Sequence, residues 1–197
     1  MNGSKVRLYM SISVDGFITG PDDGPEHGLG VNGERLHDWL HAGGVDPASH
    51  RPLDEVSATV FDEAMDTGAV ITGRRTFDNA GHWAGDHHNG VPIFVLTRNA
   101  TPDLGHARYR TDIASCVAAA KAAAGDRDIL LHGGSAAQEC LRAGLLDELE
   151  LQLMPVLLGQ GRRLFDNLPP DHIELDLVRD LDGPGVQYLR YRVRSAD

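Results

Sequence analysis

Three short segments combine glycine with arginine, threonine or serine in a way that suits a phosphate ester. Gly73-Arg74-Arg75-Thr76-Phe77 follows the compact apolar run Ala69-Val70-Ile71-Thr72 and reads as the opening of a short helix. A helix start offers free N–H groups and the positive end of its dipole. Glycine lets a ligand approach the main chain, and arginine grips phosphate bidentately. The same residues also suit two solvated arginines on a helix, and spacing alone favours neither. Leu96-Thr97-Arg98 closes a second apolar run, where a hydroxyl and a guanidinium could read the 2′-phosphate of an adenosine ribose. His132-Gly133-Gly134-Ser135 stands between a third apolar run and a helix. Paired glycines allow a backbone to lie against a pyrophosphate, and Ser135 suits a helix N-cap; a tight structural turn is the alternative.

Other spacings lack the context their chemistry needs. Gly28-x-Gly30-x-x-Gly33 matches a dinucleotide fingerprint in letters, but Pro21-Asp22-Asp23-Gly24-Pro25 precedes it where a strand is required. It reads as a flexible loop. His37 and His41 are four apart, yet Asp38 stands where a zinc protease needs glutamate. His87-His88 adjoin Gly90 in a polar loop, and no metal site is expected. No G-x-S-x-G elbow occurs.

The elements that must position these turns follow from periodicity. Val6, Leu8, Met10 and Ile12 alternate in a first strand over 5–13, followed by a Gly/Pro-rich loop over 14–33. Short helical stretches read at 34–41 and 53–65. Buried strands read at 69–72, 92–97 and 129–132, helices at 112–124 and 135–145. In the last third Leu149, Leu151 and Leu153 alternate with Glu148, Glu150 and Gln152, as in a half-exposed strand. Strands around 173–177 and 189–193 flank the turn 182–185, and the arginines of the last strand could pair with the carboxylates of 148–150. The order predicts an α/β, three-layer fold: a mostly parallel mixed sheet, helices on both faces and a C-terminal antiparallel hairpin. Ligands in such sheets sit beyond the carboxyl ends of the strands, where the three turns fall.

Bulk properties bound the rest. The 197 residues fit one domain over 1–197 and can bury a core without staples. The net charge of −11 argues against nucleic acid. No apolar run of about eighteen residues predicts a membrane span. Met1–Tyr9 has no apolar h-region, so a cytoplasmic location is expected. Cys116 and Cys140 read as buried small hydrophobes.

The motifs GRRTF (73–77), LTR (96–98) and HGGSAAQECL (132–141), in this order and spacing, resemble the NADPH-binding segments of the dihydrofolate reductase superfamily. Ser13-Val14-Asp15-Gly16-Phe17-Ile18 is similar to that superfamily's loop over the nicotinamide. The segment 145–149 with 154–161 and Leu164-Phe165 resembles the reductase domain of the bifunctional riboflavin-biosynthesis deaminase–reductase. The resemblance implies an NADPH-dependent reductase acting on a pyrimidine or pterin-like heterocycle, or on a ribosylaminopyrimidine. It implies that Gly73, Arg74, Arg75, Thr76, Thr97 and Arg98 hold the adenosine phosphates. Gly133, Gly134, Ser135 and Ala136 would follow the pyrophosphate and nicotinamide ribose, with a cis bond between the two glycines. Gly16, Phe17, Ile18, Gly159 and Gly161 would border nicotinamide and substrate. Relatives of this type form homodimers, which suits the apolar run 154–158. His132 and Asp15 are the candidates for guiding the proton, a turn brace being the alternative for Asp15. Asp38 is the candidate for the buried carboxylate of folate enzymes, an exposed helix aspartate being the alternative.

The sequence departs from the riboflavin type at Phe17, where a basic residue is usual, at His132, where an acidic one is frequent, and over 78–83. The deaminase motif is absent. A non-catalytic nucleotide- or small-molecule-binding dimer of the same fold is therefore the alternative function.

Overall fold

The computed structural model describes residues 3–99, 101–168 and 170–194. Strand β1 (Val6–Ser13) is followed by the short β2 (Phe17–Thr19), α1 (Trp39–Ala42) and α2 (Glu55–Met65). Next come β3 (Ala69–Gly73), α3 (Arg74–Asn79), β4 (Ile93–Leu96), β5 (Ala107–Arg110) and α4 (Ile113–Ala124). The chain ends with β6 (Ile129–His132), α5 (Gly134–Arg142), β7 (Glu148–Met154), β8 (Arg162–Arg163), β9 (Leu175–Gly183) and β10 (Val186–Val193).

Eight strands form one sheet in the order β5-β4-β3-β6-β1-β7-β10-β9. The pairs from β5 to β7 are parallel, and β10 and β9 close the sheet antiparallel. The fold class is the one the periodicity predicts. Val6, Leu8 and Ile12 of β1 pack with Cys116, Val117 and Ala120 of α4 and Ala136, Ala137 and Cys140 of α5. The opposite face is covered by α2, α3 and the segment around Trp39. Asp54 and Asp112 cap α2 and α4 by accepting from Ser57 N and Ser115 N, both at 2.8 Å. Both cysteines are free and buried. Among the described residues no helix is long and apolar enough to cross a membrane.

Strand β7 buries the polar face that alternation would leave to solvent. Glu148, Glu150 and Gln152 are 4, 0 and 0% exposed, whereas on the leucine face Leu149 is buried at 1% and Leu151 and Leu153 are only partly covered. Burial of Glu150 is tolerated because Arg190 and Arg179 bond its carboxylate, and Lys5 and Arg7 do the same for Glu148. The register sets Arg190 opposite Glu150, the cross-strand pairing expected from sequence. Strand β2 lies in the stretch 14–33 that reads as loop, and β5 and β8 lie where periodicity marks no element.

Candidate functional site

The carboxyl ends of β3, β4 and β6 open onto one cleft of about 1490 Å³. Its position follows from topology. After laying β3, β4 and β5 outward, the chain returns to insert β6 between β3 and β1, and the crevice forms where strand order reverses. Gly73, Arg74, Arg75 and Thr76 line it, with Thr97, Arg98, His132, Gly133, Gly134 and Ser135. Ile18 and Gly161 line it too. Three turns far apart in sequence thus share one cavity.

The turns at Gly73 and Gly133 abut. A Cβ on Gly133 would lie 2.4 Å from Thr76 Oγ1, and φ there is +91°, so only glycine permits this contact. Both glycines are N-caps, of α3 and α5, and neither helix has a side-chain cap. Helices α2 and α4, by contrast, are capped by aspartates. The first-turn N–H groups of α3 and α5 are therefore left for an external acceptor. Ser135, expected as N-cap, lies inside the first turn of α5, one position beyond the helix start. Among the described residues no peptide bond is cis, so the Gly133–Gly134 link differs from the family expectation.

The arginines at the cleft are largely paired. Arg74 Nε bonds Asp78 at 2.8 Å within its own helix. Arg75 Nε reaches Asp23 at 2.7 Å, and Arg162 Nε and Asn79 Nδ2 reach the same carboxylate at 2.8 and 2.9 Å. Burial would raise the pKa of Asp23, but the bonds from Arg75 and Arg162 outweigh it and hold the carboxyl below its usual range. No carboxylate among the described residues is within ion-pair distance of Arg98. Arg162 and Arg163 reach the cleft because β8 pairs with β2. The available signal is the repeated triplet: Gly161-Arg162-Arg163 copies Gly73-Arg74-Arg75. A Cβ on Gly161 would meet Thr19 O at 1.9 Å, so the glycine is what allows this docking.

A chain of three histidines backs the cleft. A carbonyl oxygen only accepts, so His132 donates from Nδ1 to Tyr9 O at 3.0 Å and His88 from Nε2 to Thr67 O at 3.1 Å. As neutral rings they then present lone pairs at His132 Nε2 and His88 Nδ1. His87 stands between them, its Nε2 3.0 Å from the first and its Nδ1 2.7 Å from the second. Four contacts require four protons, and three neutral imidazoles carry three. An imidazolium at His87 would satisfy both neighbours. Burial opposes that charge, with His132 and His88 adding to the opposition, and pushes His87 down to about 2; burial also brings His132 to about 4. The ring that its contacts would charge is the one its surroundings keep neutral. Trp83 covers this chain, 4.7 Å from His87 and 5.8 Å from His132 between ring centroids. It is carried on a left-handed turn in which His82, Trp83 and Ala84 have φ of 57°, 47° and 51°.

The family model of the RibD C-terminal domain matches residues 4–186. The chain belongs to this family. Among solved structures, a protein assigned to riboflavin biosynthesis from Shewanella sp. PV-4 superposes with a TM-score of 0.71 at 21% identity, over 97% of this chain and 99% of that one. A pyrimidine reductase-like protein from Corynebacterium diphtheriae NCTC gives 0.62 at 14% identity, over 98% and 93%. A diaminohydroxyphosphoribosylaminopyrimidine deaminase/5-amino-6-(5-phosphoribosylamino)uracil reductase from Thermotoga maritima gives 0.64 at 13% identity. That match covers 98% of this chain but 57% of the longer Thermotoga chain. At these identities the likeness is one of fold. No curated protein matches the chain.

Within this RibD C-terminal domain several expected site residues lie off the cleft. Asp15 accepts from Ser13 Oγ at 2.6 Å, Gly159 N at 2.7 Å and Leu158 N at 3.1 Å, which ties the turn after β1 to the loop after β7. Gly16 and Gly159 belong to that brace. Phe17 is 5% exposed, with the Arg163 guanidinium 4.5 Å from its ring centroid. Ala136 is fully buried. Asp38 is half-exposed and pairs with Arg35 at 2.6 Å, so it is not the buried carboxylate of a folate-type site. The 3₁₀ turn over Gly33–His37 sets the register, and it is His37 and Trp39, on either side of Asp38, that line the cleft.

Proposed function

We propose that this chain is an NADPH-dependent reductase acting on a small heterocyclic substrate of the pyrimidine or pterin class, free or ribosylated. Family membership supports the coarser part, a domain of the riboflavin-biosynthesis reductase type. The observation that carries the cofactor assignment is the meeting of two uncapped helix starts with Arg98 in one cleft. Orphan N–H groups and an arginine without a carboxylate partner are what a dinucleotide's phosphates require. The N–H groups of 74–76 and 134–136 would hold the pyrophosphate. Thr97 and Arg98, with Arg74 and Arg75 as their carboxylates yield, would hold the ribose phosphate that separates NADPH from NADH. The cofactor, when bound, supplies a hydride to an electrophilic carbon. Ile18 and Trp83 border the volume left for substrate and exclude water from it. His132 and Asp15 are the two sequence candidates for handling the proton; His132 lines the cleft and Asp15 does not.

The protein would work as a cytoplasmic homodimer. Leu151, Leu153, Leu175, Leu177, Leu189 and Tyr191 share one face of the β7-β10-β9 end, with Leu175 and Leu177 39 and 54% exposed. A second copy is the occupant this face suits.

Titration with NADPH, followed by nicotinamide fluorescence, tests the cofactor; absence of binding at millimolar NADPH sinks the proposal. Oxidation of NADPH in the presence of pterins, pyrimidines or their ribosyl derivatives tests the reaction. Binding without oxidation across that panel would instead favour the non-catalytic dimer.

A further inference from the structure

One carboxylate ties together three parts of the chain that line the cleft. Asp23 stands on the loop 20–33 that follows β2, Arg75 and Asn79 on α3, and Arg162 on β8. The Asp23 side chain is 6% exposed and accepts from Arg75 Nε, Arg162 Nε and Asn79 Nδ2. Arg75 Nη2 also donates to Asp23 O at 2.6 Å. The loop is a compact unit: Gly20 N donates to Leu29 O at 2.7 Å and Val31 N to Pro21 O at 2.8 Å, so its ends meet. Among the described residues, the side-chain hydrogen bonds that tie it to α3 and β8 all end on Asp23 or Gly28. Burial across this cluster is uneven. The carboxylate is covered, whereas the Arg75 and Arg162 side chains are 53 and 50% exposed. Arg75 Nη1 and both terminal nitrogens of Arg162 have no hydrogen-bond partner among the described residues.

We propose that Asp23 is an intramolecular competitor for phosphate: it holds Arg75 and Arg162 until a phosphomonoester or pyrophosphate displaces it and frees the loop 20–33. Two guanidiniums share one carboxylate, so the group keeps one net positive charge. A carboxylate offers two oxygens and a single charge. A phosphomonoester offers three oxygens and close to two charges, and arginine takes it bidentately. The half-exposed guanidinium edges are where such an anion first bonds, and each bond it gains there weakens the hold on Asp23. A monoanion neutralises only one of the two arginines and gains nothing over a carboxylate already tethered beside them. The displaced Asp23 is not left as a buried unpaired charge, because it moves into water with the loop. The linkage is reciprocal, so loss of the carboxylate strengthens the phosphate. Where the phosphate is carried by NADPH, the assignment rests on the reductase reading; the competition itself needs only a phosphate.

A nitroxide on Glu26→Cys reports the loop, because Glu26 is exposed and both native cysteines are buried from the label. Pyrophosphate at millimolar concentration should sharpen the spin-label spectrum, and acetate at matched salt should not. Asp23→Asn should sharpen it without any ligand. The same variant should bind pyrophosphate roughly tenfold more tightly than the parent in calorimetry, as for loss of a competing charge-assisted bond. A carboxylate that merely braces the site would act in reverse: its loss would disorder the arginines and weaken pyrophosphate. Equal or weaker binding by Asp23→Asn, no pyrophosphate binding by either protein, or a label that pyrophosphate leaves unchanged or immobilises overturns the proposal. If Asp23→Asn does not fold, the contrast between pyrophosphate and acetate on the labelled parent decides. A loop freed by pyrophosphate in a protein that ignores NADPH would remove the reductase reading and leave the competition standing. NADPH binding with an unmoved label would do the opposite.

Discussion

Among the described residues, Arg98 and Arg163 are the arginines around the cleft without a carboxylate partner, whereas Arg74, Arg75 and Arg162 are each bonded to one; Arg163 is instead occupied with Asp15 O and the Phe17 ring, which leaves Arg98. A phosphate arriving at Arg98 displaces only water. Arg98→Ala should therefore weaken NADPH by roughly tenfold to a hundredfold, as for loss of a charge-assisted bond. NADH binding should change much less, and fluorescence titration of both cofactors checks the contrast. The histidines give a second prediction at this scale. His87, pushed to about 2, and His132, to about 4, are neutral when folded but titrate near 6.5 when unfolded. Between the folded and unfolded values the unfolded chain binds more protons. Stability is thus complete above about pH 7 and falls as pH drops towards 4, by about 1.4 kcal/mol per pH unit for each proton taken up. Urea melts across that range should show the slope, and His87→Gln should flatten it; a flat parent profile would contradict the burial of these rings.

Among the elements, the left-handed turn at 81–85 is the costly one. Left-handed backbone costs about 1–2 kcal/mol at each non-glycine residue, and His82, Trp83 and Ala84 all adopt it. Ala84 is exposed, so Ala84→Gly relieves strain without losing contacts and should stabilise by about 0.5–1 kcal/mol in chemical denaturation, after glycine's own entropy cost. What was legible in the sequence divides along the same scale. Strands β3, β4 and β6 announce themselves as continuous apolar runs, and their glycine turns come with them because strand end and turn are adjacent in the chain. Strand β5, Ala-Arg-Tyr-Arg, has one small apolar residue and forms because β4 offers it a ladder. Strands β2 and β8 exist only as each other's partner, across more than a hundred residues. Arg162 reaches the cleft through that pairing and is marked by the repeated Gly-Arg-Arg triplet, whereas Asp23, His37 and His87 come to it on loops and turns that no local pattern places there. On β7, alternation fixes which residues share a side but not which side is covered. Buried ion pairs reversed the usual assignment.

For the whole molecule, the sheet end formed by β7, β10 and β9 has helices on one face only. Leu177 is 54% exposed there and Val178 40%. Burying a leucine contributes about 1.5–3 kcal/mol, so a charge at its centre should be decisive. Leu177→Asp should convert a dimer to a monomer in size-exclusion chromatography with light scattering, with the helical spectrum kept. A parent protein that is already monomeric at micromolar concentration would remove the dimer from the proposal.

The knot at Asp23 has an effect on how the cleft meets its guest. Arg74, Arg75, Arg98, Arg162 and Arg163 are matched in number by Asp23, Asp112, Glu139 and Asp166, which line the cleft with them, and by Asp78, which holds Arg74, so the entrance is close to electroneutral before anything arrives, on a chain whose formal charge is −11. There is little long-range field to steer a polyanion inward. Capture should therefore depend on collision and local exchange of carboxylate for phosphate, and its rate should change little between ionic strengths of about 0.01 M and 0.15 M, measured by stopped-flow; a steep decline with added salt would mean that the arginines are free in solution.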